Sequence, residues 1–142
     1  MLAVIDTGVL VSGVFWRREP HRVLRAWKYG LLTPIVSQQI FDEYKRVLED
    51  VKREESFATD LSPWLDALKV AAVWVARVPL GRAVCRDPKD DKFIEAALAA
   101  GARTLIARDL DLTVLEKPFG IEILTPRAWL SRLPRAQRRL LD

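Results

Sequence analysis

The sequence predicts an α/β protein whose mainly parallel sheet is covered by helices on both faces. Short apolar segments, typical of buried strands, alternate with longer segments that have helical periodicity. The 142 residues suit one domain, expected over residues 1–142 with a basic tail from about residue 134. Half of the residues are apolar and 30% are charged, which is typical of a soluble globular chain.

The first half of the chain predicts two strands and three helical segments. Residues 2–5, LAVI, predict a buried strand that leads into a turn and a short helix in DTGVLVSG. A helix over residues 21–29 ends at Gly30, and residues 33–37 predict the second strand. Ser37 is a suitable N-cap for a long helix that continues to about Arg53.

The second half continues the alternation. A helix is expected over residues 60–70, because Ser62 and Pro63 favour a helix start and the leucines of LSPWLDALKV share one face. The segment AVWVARV, residues 72–78, predicts the third strand. The other predicted elements are a helix over 91–100 that ends before Gly101, strands over 104–107 and 121–124, and a closing helix in PRAWLSRL.

Several classes of protein are excluded by composition. No apolar run is long enough for a membrane span, and MLAVID lacks the basic segment of a signal peptide. With only Cys85 and one histidine, the chain has no zinc cluster and no internal disulfide, so a cytoplasmic location is expected. The net charge of +4 and the pI near 9.5 favour an anionic partner.

Acidic residues are predicted to meet at one edge of the sheet. Asp6 follows the first strand and Asp109 follows the fourth, so both belong at the carboxyl edge, where parallel sheets carry their active sites. The aspartates of RDPKDDKFIEAAL, residues 86–98, precede a helix at the same edge. Glu43 lies on the inward stripe of the helix after the second strand, where a carboxylate is costly unless it is paired or metal-bound.

Each acid also has a purely structural interpretation. Asp90 or Asp91 could cap the helix that follows, and Asp109 could cap the turn after the fourth strand. Glu43 could pair with a neighbouring arginine or lysine. Asp6 is the hardest to explain in this way, because it lies in a tight crevice beside a small hydroxyl residue and a glycine. The coincidence of the acids at one edge is therefore more informative than any one of them.

A divalent cation would relieve the repulsion among these carboxylates. Oxygen ligands without histidine or cysteine suit Mg²⁺ or Mn²⁺. Such ions promote phosphodiester hydrolysis, because they activate water and neutralise the charge that develops on the phosphate. Basic surroundings would hold a polyanionic substrate that the acids alone would repel.

Three blocks of the sequence resemble the PIN-domain family, in particular its VapC-related toxins. The blocks are IDTGVLVSG, SQQIFDEYKRVL and DPKDDKFIEAALAAGARTLIARDLDL. The resemblance implies a three-layer α/β/α sandwich with a five-stranded parallel sheet in the order 3-2-1-4-5. It also implies an Mg²⁺- or Mn²⁺-dependent endoribonuclease that is the toxin of a toxin–antitoxin pair. Such toxins usually form homodimers and are blocked by a cognate antitoxin.

The resemblance also implies which residues form the site. Asp6, Glu43 and Asp91 match the first three family acids and would act as catalytic metal ligands. Thr7 beside Asp6 is an auxiliary residue. The fourth family acid matches Asp109. The alternative for that fourth position, Asp111, remains open.

The expected reaction is hydrolysis of RNA to a 3′-hydroxyl and a 5′-phosphate. Arg86, Lys92 and Arg108 flank the acids and are candidates for binding RNA phosphates. The alternative function is a PIN-fold module that binds RNA or an antitoxin with little or no nuclease activity. A receiver domain is disfavoured, because only one acid follows the first strand and no acid follows the third within five residues.

Overall fold

The computed structural model contains a five-stranded, fully parallel sheet in the order β3-β2-β1-β4-β5. The structure describes residues 1–108, 110–113, 115 and 117–142, with the backbone alone for residues 110 and 111. The strands are β1 (Leu2–Ile5), β2 (Thr33–Val36), β3 (Val73–Trp74), β4 (Thr104–Ile106) and β5 (Glu122–Leu124). This order and the surrounding helices confirm the predicted α/β/α fold class.

Eight α-helices are found in the described part of the chain. They are α1 (Thr7–Phe15), α2 (Glu19–Lys28), α3 (Gln38–Glu54), α4 (Ser62–Ala71), α5 (Asp91–Ala99), α6 (Leu110–Thr113), α7 (Pro126–Ser131) and α8 (Arg135–Arg139). Short 3-10 helices occupy Pro88–Asp90 and Pro118–Gly120. None of the helices in the described ranges is long and apolar enough to cross a bilayer.

Local signals explain where the long helix α3 begins and which side it buries. The Ser37 hydroxyl accepts a hydrogen bond from the Ile40 amide at 3.3 Å, which confirms the predicted N-cap. Ile40, Tyr44 and Leu48, spaced four residues apart, are fully buried. Glu43 directly precedes Tyr44 and lies beside this buried stripe, with a side chain that is 20% exposed.

The third strand is much shorter than the predicted segment of residues 72–78. Its last ladder contact is the 2.9 Å hydrogen bond from the Val75 amide to the Val36 carbonyl. Beyond Val36 the neighbouring strand ends and Ser37 turns the chain into α3, so residues 76–78 have no strand to pair with. The prediction was wrong because β-propensity does not reveal where the partner strand stops.

The basic segment at the end of the chain is partly ordered against the fold. It contains the short helix α8, and Leu141 is buried. Arg22 of α2 forms an ion pair with Asp142 at 2.8 Å. The last residues of the described chain therefore pack on α2.

Candidate active site at the carboxyl edge of the sheet

Asp6 lies at the end of the central strand β1 and begins α1. Its Oδ1 accepts a hydrogen bond from the Val9 amide at 2.7 Å, and the residue is only 4% exposed. The carboxylate is therefore an N-cap, which the sequence interpretation considered for other acids but not for this one. The cap fixes the carboxylate at the point where β2 and β4 flank β1, the switch point of the sheet.

Glu43, in the second turn of α3, connects three segments of the site. Its Oε2 accepts a hydrogen bond from the Thr7 hydroxyl, and its Oε1 lies 2.9 Å from Lys92 Nζ. Arg46 Nη2 lies farther away, at 4.0 Å. The expected pairing of Glu43 with a basic residue is thus present, and its partner comes from α5.

Tyr44 follows Glu43 in α3 and is buried beside the end of β1. Its hydroxyl donates to the Ile5 carbonyl, one residue before Asp6. Burial raises the pKa of the Tyr44 phenol well above its usual value, and the negative charges of Asp6 and Glu43 raise it further. This role of Tyr44 was not predicted from the sequence. A buried tyrosine does need a hydrogen-bond partner, but nothing in the sequence identified it.

Asp91 is buried at the start of α5 and binds a neighbouring loop. Its Oδ1 accepts from the Cys85 amide at 2.7 Å, and its Oδ2 accepts from the Val84 amide at 3.1 Å. Capping in this cluster is done by Asp87, whose side chain accepts from the Lys89 amide at 3.0 Å. Asp87 and Asp91 therefore have different roles, and Asp91 holds residues 84 and 85.

The basic residues predicted to bind phosphate lie in different settings. The Lys92 side chain is only 10% exposed, and its ammonium contacts Glu43 and the Lys89 carbonyl. It also lies 5.0 Å from the centre of the Phe93 ring. Arg86 and Arg108 are exposed. Lys92 thus neutralises an acid of the site in this structure, whereas the two arginines lie at the surface.

The fourth predicted acid cannot be placed. Asp109 lies outside the described residues, as does the side chain of Asp111 in α6. The assignment of either residue to the fourth position therefore stays a prediction.

Two charged residues of the site were missed by the sequence analysis. Glu95, one helical turn after Asp91, is only 6% exposed, and its Oε2 lies 3.2 Å from Arg77 Nε. The four-residue spacing from Asp91 could have indicated that both acids share a face of α5.

An open cleft of about 350 Å³ lies beside Glu43 and Glu95, and its lining does not include Asp6, Thr7 or Asp91. Its lining includes three acids and four basic residues, and it extends from α3 across the start of α5 to the segment after β3. The lining residues are Gln39, Asp42, Glu43, Arg46, Arg77, Pro88, Lys89, Lys92 and Glu95. Such a mixed lining suits a phosphodiester beside an acidic centre.

The donor chemistry of the acids suits a hard cation, but the described carboxylates are not gathered around one point. Asp6, Glu43 and Asp91 offer only oxygen donors, as Mg²⁺ and Mn²⁺ prefer. Among the described residues, no group of three histidine, cysteine or acidic side chains could hold an ion. Lys92 contacts Glu43, and loop amides contact Asp91. Glu43 is linked to the Asp6 segment by Thr7, the residue after Asp6, whose hydroxyl donates to Glu43 Oε2.

Comparison with known families identifies the fold independently. The sequence model of the PIN domain matches residues 3–111, which include Asp6, Glu43 and Asp91. Comparison with curated proteins finds no match. PIN domains are generally nucleases, and they usually use divalent metal ions. The match covers most of the chain and agrees with the sheet order, so the chain belongs to the PIN-domain family.

Proposed function

We propose that this protein is an Mg²⁺- or Mn²⁺-dependent endoribonuclease that hydrolyses RNA phosphodiester bonds. The observation that carries the proposal is the hydrogen bond to Glu43 from Thr7, the residue directly after Asp6 at the end of β1, because Glu43 also lines a cleft that contains four basic residues. Membership of a family of nucleases supports the reaction class. The four basic residues in the lining of this cleft support an anionic polymer as substrate.

Each acid has a defined part in this proposal. Asp6, Glu43, Asp91 and Asp109 would hold the metal, with Asp111 as the alternative to Asp109. The ion, when bound, would activate water and neutralise charge on the phosphate. The Val9 amide fixes the Asp6 carboxylate, and the Thr7 hydroxyl orients Glu43.

We further propose that the chain is a VapC-like toxin of a toxin–antitoxin pair. The resemblance of the three sequence blocks supports this narrower assignment. This assignment includes three further proposals: the protein forms a homodimer, binds a cognate antitoxin and is located in the cytoplasm. Arg86 and Arg108, exposed near the site, are proposed contacts for RNA phosphates.

The test is cleavage of a labelled single-stranded RNA by the purified protein in Mn²⁺, with EDTA in a parallel reaction. Glu43→Gln and Asp91→Asn should each lower the rate at least about 100-fold, because each removes a charge that holds the ion. Glu49→Gln is the matched control, because Glu49 is exposed two turns further along α3. Its rate should equal that of the unmodified protein.

The alternative is a module that binds RNA or an antitoxin without cleaving RNA. A protein that binds Mn²⁺ and RNA but cleaves none of a panel of structured and unstructured RNAs would favour it. Cleavage that persists in EDTA would contradict the metal-dependent mechanism.

A further inference from the structure

The segment between β3 and the 3-10 helix, residues 75–87, contains no helix or strand and is fastened to α5 at two points. Asp91 accepts hydrogen bonds from the amides of Val84 and Cys85. One turn further along α5, Glu95 binds Arg77. The two acids are four residues apart, so they lie on the same face of the helix. This face holds the segment against the site.

The two partners of the Glu95–Arg77 pair differ greatly in exposure. The Glu95 side chain is 7% exposed, whereas that of Arg77 is 58% exposed. The hydrogen bond uses Arg77 Nε at 3.2 Å, and Nε–H is one of the five N–H donors of a guanidinium group. A buried carboxylate therefore holds one edge of a guanidinium whose side chain remains largely open to solvent.

The exposed guanidinium belongs to the same cleft as Glu43. Arg77, Arg46 and Lys89 are basic residues of its lining, on elements separate in sequence. Guanidinium groups bind phosphate oxygens through paired N–H donors, and an oriented guanidinium loses less conformational entropy on binding than a mobile one.

We propose that Arg77 is a phosphate-binding residue for the RNA backbone beside the scissile bond, and that Glu95 is the residue that positions it. The identity of the ligand as RNA rests on the proposed function. Arg77 would contact a phosphate directly, and Glu95 would act only through Arg77.

The first test is RNA binding in EDTA, where cleavage is prevented, measured by fluorescence anisotropy with a labelled 12-nucleotide single strand at several salt concentrations. Arg77→Gln should weaken binding about 3- to 10-fold near 0.1 M salt and lower the salt slope by about 0.7. Arg103→Gln is the matched control, because it removes the same charge at an exposed position before β4, at the opposite edge of the sheet. It should weaken binding less than 2-fold.

The second test separates positioning from simple charge. Glu95→Leu removes a negative charge from the cleft, so charge alone predicts tighter RNA binding. Loss of positioning predicts weaker binding, about as weak as that of Arg77→Gln. The RNA affinity of Glu95→Gln should lie nearer to that of the unmodified protein, because its amide oxygen can still accept from Arg77 Nε.

In cleavage assays, Arg77→Gln and Glu95→Leu should raise KM while kcat stays within about 3-fold.

The proposal is overturned if Arg77→Gln binds RNA like Arg103→Gln, or if Glu95→Leu binds RNA more tightly than the unmodified protein. Should Glu95→Leu fail to fold, the comparison of Arg77→Gln in the unmodified and Glu95→Ala backgrounds decides, since alanine has no acceptor for Arg77 and coupled residues give a non-additive loss. Metal-dependent cleavage with an unchanged Arg77→Gln KM would remove this inference and leave the proposed function intact. RNA binding that depends on Arg77 but is not followed by cleavage would support this inference and contradict the proposed nuclease function.

Discussion

Lys92 Nζ lies 2.9 Å from Glu43 Oε1, and the two side chains are only 10% and 20% exposed. An ammonium from the start of α5 thus neutralises an acid that the proposed function assigns to the metal. Ammonium and metal ion would compete for the same carboxylate oxygen, which couples Lys92 to metal affinity.

Replacing Lys92 by methionine should separate stability from metal binding. Without metal, the variant should lose about 2 kcal/mol of unfolding free energy, because Glu43 loses a charged hydrogen-bond partner in a poorly solvated place. Mn²⁺ should raise its melting temperature more than that of the unmodified protein, because the competing ammonium is gone. Thermal unfolding with and without Mn²⁺ measures both effects.

Lys89→Met is the control, because Lys89 is exposed in the same cleft and its side chain has no ion pair with Glu43 in the structure. Its Mn²⁺ shift should match that of the unmodified protein. An equal shift in Lys92→Met would mean that Glu43 does not hold the ion.

The Asp6 carboxylate caps α1 and is also a proposed metal ligand. Two substitutions can separate these roles. Asp6→Asn keeps an oxygen that can accept from the Val9 amide, and it removes a negative charge close to Glu43. The metal-free variant should be at least as stable as the unmodified protein while its cleavage is lost. Asp6→Ala should be about 1 kcal/mol less stable than Asp6→Asn, because it also loses the cap.

Denaturant unfolding in EDTA measures this difference. If Asp6→Asn unfolds more easily than the unmodified protein, then Asp6 is not held near other negative charge.

Asp91→Asn tests whether the Asp91 carboxylate, a proposed metal ligand, also holds the segment of residues 75–87 in place. In asparagine an NH2 group replaces one of the two carboxylate oxygens, so the Val84 amide keeps only the longer 3.3 Å contact to Oδ1, which also accepts from the Cys85 amide. We expect trypsin to cleave after Arg82 several-fold faster in this variant. Mass spectrometry of timed digests locates the cut.

Asp87→Asn serves as the reference, because asparagine caps the 3-10 helix as well as aspartate does. Equal digestion of both variants and the unmodified protein would show that Asp91 does not restrain the segment.

The buried phenol of Tyr44 should make stability depend on alkaline pH. Its pKa is raised in the folded state, so above pH 10, the usual value for tyrosine, the unfolded chain loses a proton that the folded chain retains. The contribution of Tyr44 to the free energy of unfolding is fully present below this pH. It declines by up to about 1.4 kcal/mol per pH unit as pH rises towards the folded-state pKa.

Tyr44→Phe should lack this part of the alkaline decline, although it loses about 1 kcal/mol at neutral pH with the hydrogen bond to Ile5. Urea unfolding at pH 8 to 11 compares the two proteins. Identical pH profiles would contradict the raised pKa.

Local signals were sufficient for most of the secondary structure. The Ser37 cap, the apolar stripe of α3 and the positive φ at Gly30 follow from the preferences of residues close in sequence, and the structure contains each of them. The length of β3 does not follow in this way, because it depends on where β2 ends. The sheet order came from the resemblance to a family, and the strand pairing confirms it.

Hydrophobic periodicity and strand ends are local properties, so the amino-acid sequence alone was enough to predict the α/β alternation and the position of Asp6 directly after the first strand. The partners of the charged residues became apparent only in three dimensions: Lys92 for Glu43, the loop amides for Asp91, and Arg77 for Glu95. These contacts depend on the path of residues 75–87, which have no periodic pattern, and on how α5 packs beside α3. Partner choice is a matter of distance in space, and sequence spacing does not encode it across separate elements.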